Sequence, residues 1–298
     1  MKERITILGK ATPIFDEYLK EGLICTTGIT ETGEFRRLYP VPIKNYEQFR
    51  NWNIVDIELL EQGAKCPFSE HRDYRPESRI LNLSIEEPFK VVDQLKTIKK
   101  RFTLIKSLLN PSEEWIKAQR NPRKTIGIVR PKDLKVTIEV SKQEPKESKE
   151  PNFASLLEYT DPELKRNATK KRYIEKKLRQ YLTRILDIRF NFKCHYNPEC
   201  KGHKKLILDD GLHQNVRKLS RDFPINEVIA KTRENIELRH SRSWLFLGLG
   251  TVTPYPYRSY TIGSVFTFPK SKVSEQEMSE LFSKRQLKIT DILNRFVT

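Results

Sequence analysis

Gly22-Leu23-Ile24-Cys25-Thr26-Thr27-Gly28-Ile29-Thr30 runs into Glu31-Thr32-Gly33 and then into Glu34-Phe35-Arg36-Arg37-Leu38-Tyr39-Pro40. The outer runs are rich in β-branched and aromatic residues, and the polar segment between them ends in glycine. That order reads as strand, turn and return strand. Residues 53–60 (NIVDIELL) read as a further strand, and residues 125–129 and 134–140 add two more β-like runs. Val91, Leu95, Ile98, Phe102, Ile105 and Leu109 recur at helical spacing and predict one helix with a single apolar face. Asn110-Pro111-Ser112 then predicts a short helix capped by Asn110, with Pro111 in its first turn. The first half is therefore expected to be a mixed β domain with one packed helix.

Residues 141–151 (SKQEPKESKEP) hold no large apolar side chain and alternate charge with proline, which is linker chemistry. They divide the chain into expected domains at 1–140 and 152–298. The second half opens on an expected helix over 164–184, capped by Asp161, with Ile174, Leu178, Tyr181 and Ile185 as its apolar stripe. Strands at 188–193 and 205–208, a helix over 224–237 and paired strands at 244–250 and 260–268 follow. Ser274 and Glu277 form a capping box for a last helix with Met278, Leu281 and Phe282. Helices alternating with such strands make the expected class α+β, in two lobes.

The 298 residues carry 56 Lys or Arg against 39 Asp or Glu, a formal charge of +17. So large an excess repels itself unless an anion is close, and nucleic-acid phosphate is the partner that best matches it. Without about 20 uncharged apolar residues in a row there is no expected membrane span, and the charged first residues do not resemble a secretion signal. Four cysteines in a chain of this length are not a disulfide framework, so a reducing cytoplasmic setting is expected.

Three groups of residues could bind something. Lys165, Arg166, Lys170, Lys171, Arg172, Lys176, Lys177, Arg179 and Arg184 crowd the expected 164–184 helix against one acid, Glu175, and suit phosphate; a merely solvated helix face is the alternative. Arg36, Arg37 and Tyr39 on the return strand pair cations with an aromatic ring, as in single-strand binding, although an ordinary edge strand explains them as well. Cys194, Cys200, His203 and His213 offer thiolates and imidazoles for a structural zinc, with a metal-free loop as the alternative. Asp209 and Asp210, after a strand, could hold a divalent cation in a metal-dependent nuclease, and Asp56 and Glu58 share a strand face. A module that grips an acidic protein is a third reading of the charge.

Cys25-Thr26-Thr27-Gly28-Ile29, Arg37-Leu38-Tyr39-Pro40-Val41-Pro42, Asp73-Tyr74-Arg75-Pro76-Glu77-Ser78 and Gly127-Ile128-Val129-Arg130-Pro131 form one set of segments. With Cys194-x5-Cys200-Lys201-Gly202-His203, Ile207-Leu208-Asp209 and Phe268-Pro269-Lys270, they resemble a family of prokaryotic proteins of unassigned biochemistry. The resemblance spans most of the chain and implies an association with mobile-element defence, with no activity to carry over. The chain departs from the family pattern at Asp210-Gly211, where an aromatic residue and an acid are expected. Together these readings predict a non-catalytic, DNA- or RNA-binding accessory subunit of a guided effector, such as a short Argonaute.

Overall fold

The structure, a computed structural model, describes residues 1–16, 21–45, 48–60, 76–82, 88–119, 124–141, 184–251 and 259–279. The first lobe is built on β1 (Lys2–Lys10), β2 (Ile14–Asp16), β3 (Glu21–Thr30), β4 (Phe35–Pro42), β5 (Asn53–Glu58), β6 (Ser78–Arg79) and β7 (Phe89–Gln94). These form one sheet in the order β6-β4-β3-β1-β5-β7, with β2 beside β3. Every pairing is antiparallel except β4 with β6. The β3–β4 hairpin turns at Gly33, whose φ of 83° is a conformation that glycine adopts without strain. Ile5, Ile7, Ile24, Leu38, Val55 and Phe89 fill the core on one side of this sheet.

α1 (Ile98–Ser107) is shorter than the periodicity predicts. Thr97 caps it by accepting the Lys100 N–H at 3.2 Å, and Val91 lies instead in β7 with 43% of its surface exposed. The edge of β5 offers residues 89–94 a row of backbone partners, and that pairing overrides the helical spacing upstream of the cap. At its other end, Leu109 and Asn110 form β8 (Leu109–Asn110). The next helix, α2 (Glu113–Ala118), is capped by Ser112 rather than Asn110. The Asn110 side chain is occupied elsewhere: its Oδ1 accepts the Ile128 N–H.

The second lobe continues with β9 (Ile126–Val129), β10 (Pro131–Val140), β11 (Leu186–Cys194), β12 (His203–Leu206), α3 (Asp210–Asp222), α4 (Ile225–Arg242), β13 (Ser243–Thr251) and β14 (Tyr260–Pro269). One sheet runs β10-β11-β12 and another β14-β13-β9-β8. This moves the boundary expected at residue 140. β10 pairs along its length with β11, and β9 with β13, so residues 126–140 belong to the second lobe by hydrogen bonding. The fold is α+β in two lobes, a β lobe with a packed helix followed by an α+β lobe.

Helix α3 is absent from the sequence reading. Its N-cap is Asp209, whose Oδ1 accepts the Leu212 N–H at 2.9 Å. Leu212, Val216 and Leu219, four and three residues apart, turn toward the second core beside Phe190, Ile207 and Val228. The Ser274 and Glu277 capping box forms as expected, and residues 275–279 are helical.

The lobes share a third apolar cluster. Leu8 and Ile29 from the first lobe pack with Phe102, Phe246, Phe266 and Phe268. Here β1 passes β14 so closely that a Cβ on Gly9 would collide with Ser264 Oγ. Backbone bonds reinforce the contact, with the Thr12 N–H donating to Leu208 O at 2.6 Å. Among the described residues, no helix is long and apolar enough to cross a membrane.

Candidate nucleic-acid interface

Four chain segments that are distant in sequence bring cations and aromatic rings together on the second lobe. Arg130 follows β9, and its carbonyl accepts the His195 N–H, which fixes the start of the β11–β12 loop against it. The Arg130 guanidinium lies 5.2 Å from the Trp244 ring centre and 5.8 Å from that of Tyr196, and it donates to the Tyr196 hydroxyl at 3.2 Å. Lys270, just beyond β14, stands 5.1 Å over the same Trp244 ring and donates to Ser241 O. Trp244 is anchored by its own Nε1–H, which donates to Val273 O at 2.9 Å. The His195 and Tyr196 rings meet edge to face, and with Lys132 and Pro198 they line a shallow depression.

Cation–π contacts of this kind are worth about 0.5–1 kcal/mol each at an exposed site. Their larger consequence is positional: they hold the charges in place without a carboxylate. Among the described residues no acid pairs with Arg130, Lys132 or Lys270, although Asp133 adjoins Lys132 in the chain. Burial and charge act together on His195. Partial burial, then Arg130 and Lys132, push its imidazole down to about 4, so it is neutral at pH 7. Fixed, unpaired cations interleaved with rings can hold phosphate and stack bases.

The hairpin residues expected to share this role do other work. Arg36 is 8% exposed and makes a two-pronged ion pair with Glu3, its Nε at 2.9 Å and Nη2 at 3.0 Å, plus a bond to Glu34 at 2.7 Å. Arg37 is 4% exposed and donates to Thr251 O at 3.0 Å and Thr125 O at 3.3 Å, across the lobe junction. Burial of both guanidiniums removes them from any phosphate, and half-buried Tyr39 follows them along β4. Lys165, Arg166, Lys170, Lys171, Arg172, Lys176, Lys177 and Arg179 lie outside the described residues. Arg184, expected to end their helix, leads into β11 and pairs with Asp187 at 2.9 Å.

The acids fare similarly. Asp209 Oδ1 caps α3 and its Oδ2 accepts the Val265 N–H at 3.0 Å. Asp210 is 1% exposed, and its two oxygens accept from Arg217 and Gln214, each at 2.8 Å. In this arrangement the two carboxylates expected to hold a divalent cation serve the fold, as a helix cap and a buried ion pair. Asp56 and Glu58 are tied up too, in ion pairs with Arg4 and Lys2.

Burial, opposed by the Leu212 and Val265 N–H donors and reinforced by Asp210, pushes Asp209 up to about 6 from its ordinary 3.8. The folded value exceeds the unfolded one. This group's contribution is therefore fully present below 3.8 and lost as pH rises through about 6, roughly 2–3 kcal/mol in all. An NMR titration of the Asp209 carboxyl carbon should give a midpoint near 6, whereas one near 4 would contradict the burial argument.

The expected zinc ligands come together only in part. Cys194 at the end of β11, Cys200 in the loop and His203 at the start of β12 converge, and Glu114 of α2 joins them. The four ligating atoms all lie within 4.8 Å of one another, and no other such group occurs among the described residues. His213, expected as the fourth ligand, does not join them: it sits on α3, 1% exposed, with its Nε2 bonded to Ile207 O at 3.0 Å. Burial, with Cys200 beside it, pushes the Cys194 thiol up to about 12.

A family model described as "Domain of unknown function (DUF8758)" matches residues 1–107, and one described as "Domain of unknown function (DUF8757)" matches residues 112–286. The break between them falls where the hydrogen-bonding pattern changes lobe. No curated protein matches the chain. Among solved structures, the Ifi202 HINa domain in complex with 20bp dsDNA is similar at 11% identity and a TM-score of 0.30, over 70% of this chain and 75% of that chain. The p202 HIN1 complex with 12-mer dsDNA is similar at 11% identity and the same TM-score, over 90% and 92%. At that score the likeness is too slight to fix a shared fold.

Proposed function

We propose that the chain, which belongs to the DUF8757 family, binds nucleic acid through the face formed by Arg130, Lys132, Tyr196, Trp244 and Lys270. The observation that carries this reading is a set of cations held over aromatic rings with no carboxylate partner among the described residues, in a chain with a net charge of +17. Such a face supplies sequence-independent affinity for phosphate and sequence-tolerant stacking for bases. The commitment of Asp209 and Asp210 to a helix cap and an ion pair favours a gripping role over cleavage. The basic block at 165–184 supports a second contact region, as a proposal from sequence alone. The resemblance to prokaryotic defence proteins, rather than any residue of the site, supports the further reading that this grip serves a guided effector such as a short Argonaute.

Charge reversal separates the two regions. Lys132→Glu with Lys270→Glu should weaken binding to labelled DNA or RNA and reduce the salt slope by roughly 2, one per lost phosphate contact. A parallel variant with Lys170, Lys171 and Arg172 reversed tests the sequence block. Unchanged affinity and slope in the first variant would remove the face from the interface. Binding to an acidic protein that competitor nucleic acid cannot displace would favour the protein-module reading instead.

A further inference from the structure

We propose that Cys194, Cys200, His203 and Glu114 bind one Zn²⁺, which pins α2 to the β11–β12 loop. The convergence on a single ring nitrogen carries the inference. His203 Nε2 lies 3.4 Å from Cys194 Sγ, 3.2 Å from Cys200 Sγ and 3.3 Å from a Glu114 carboxylate oxygen. A neutral imidazole nitrogen either donates one proton or accepts one, so it cannot satisfy three such neighbours. One cation at their centre can. With Zn–S near 2.3 Å and Zn–N near 2.0–2.1 Å, ligand atoms around a tetrahedral ion stand roughly 3.3–3.8 Å apart. The separations from His203 sit at or just below that range.

The surroundings match what a bound ion requires. Metal ligation through Nε2 leaves the proton on Nδ1, and Glu113 Oε2 waits 3.4 Å from that atom. Glu113 is fully buried, and this oxygen has no hydrogen bond, so the Nδ1–H would supply the missing donor. Its other oxygen is held by Lys205 at 2.8 Å and Lys117 at 2.6 Å, which fixes the carboxylate. The Cys194 N–H points at Cys200 Sγ at 3.2 Å, an orientation that favours a thiolate. Bonds from the Asn197 N–H to Cys194 O and from the Cys200 N–H to Asn197 O curl the loop, and Gly202 at φ 103° returns it to His203. The five-residue gap between the cysteines, loose for a zinc finger, is taken up by this turn.

The two thiols are buried, whereas Glu114 remains 52% exposed, so the ion would enter from the Glu114 side. Elemental analysis of the full chain, purified without chelator or reconstituted with zinc and dialysed, should give one equivalent of zinc. Cobalt substitution of the same protein should give the thiolate-to-cobalt charge-transfer band and the visible absorption of a tetrahedral site. Glu114→Ala, at an exposed position, should leave the fold intact and weaken zinc retention against a chelator by about 10-fold or more. No stoichiometric zinc after reconstitution, or cobalt without a thiolate band, would overturn the site. Zinc retention unchanged in Glu114→Ala would overturn the four-residue ligand set.

Discussion

Arg37→Ala should destabilise the protein by about 2–4 kcal/mol while leaving the nucleic-acid affinity of the folded fraction unchanged. The guanidinium is buried where the lobes meet, and its donors reach Thr251 O, Thr125 O and Thr125 Oγ1. Thr125 in turn is held by Glu77, which accepts its N–H at 2.8 Å and its hydroxyl at 2.7 Å. Truncation therefore removes charge-assisted bonds to two carbonyls and loosens a chain that runs from β4 to the ends of β9 and β13. Urea unfolding measures the loss. Arg37→Lys should recover only part of it, because one ammonium cannot reproduce the two-pronged reach. The opposite pattern, full stability with lost binding, would return Arg37 to the phosphate-binding role that its place in the hairpin suggests.

Phe246→Ala should cost about 3–5 kcal/mol and should lower the stability of both lobes together. This ring is fully buried, 6.1 Å from Phe102 and 5.8 Å from Phe268, in the cluster that also holds Leu8 and Ile29. The cavity left behind would be lined by residues of both lobes, so neither can collapse into it independently. Fluorescence and far-ultraviolet circular dichroism should report one coincident unfolding transition, moved to lower urea. Two separated transitions, only one of them shifted, would show that the shared cluster does not couple the lobes.

The parts of this fold that were legible in the sequence are those with local causes. The β3–β4 hairpin is written in its Gly33 turn and flanking apolar strands, and the Ser274 capping box in four residues. Helix α3 was hidden because Asp209-Asp210-Gly211 after a strand reads as a turn. Asp209 is in fact a cap, and the Leu212, Val216 and Leu219 stripe was the available signal. The helix predicted from Val91 overran because periodicity does not reveal that a sheet edge is open to residues 89–94.

The sites divide along the same line. Three ligands of the proposed zinc site lie within ten residues and could be read directly, but Glu114 is 80 positions before Cys194 and arrives only through α2. His213 was close in sequence yet turns into the core on α3. The binding face is less legible still, since Arg130, Tyr196, Trp244 and Lys270 come from four separate segments and no local pattern joins them. The density of charge around Arg36 and Arg37 misled for a physical reason: a buried arginine paired with Glu3, or bonded to carbonyls, has the same sequence appearance as one that meets phosphate.

Fluorescence anisotropy of the full chain with labelled single- and double-stranded oligonucleotides, across about 50–200 mM salt, tests nucleic-acid binding most directly. The three cations at this face, Arg130 and Lys270 held over rings and Lys132 beside them, predict a linear fall of log affinity with log salt, at a slope of about −3 or steeper on duplex. No binding at the low-salt end, or an affinity that salt leaves unchanged, would contradict the account.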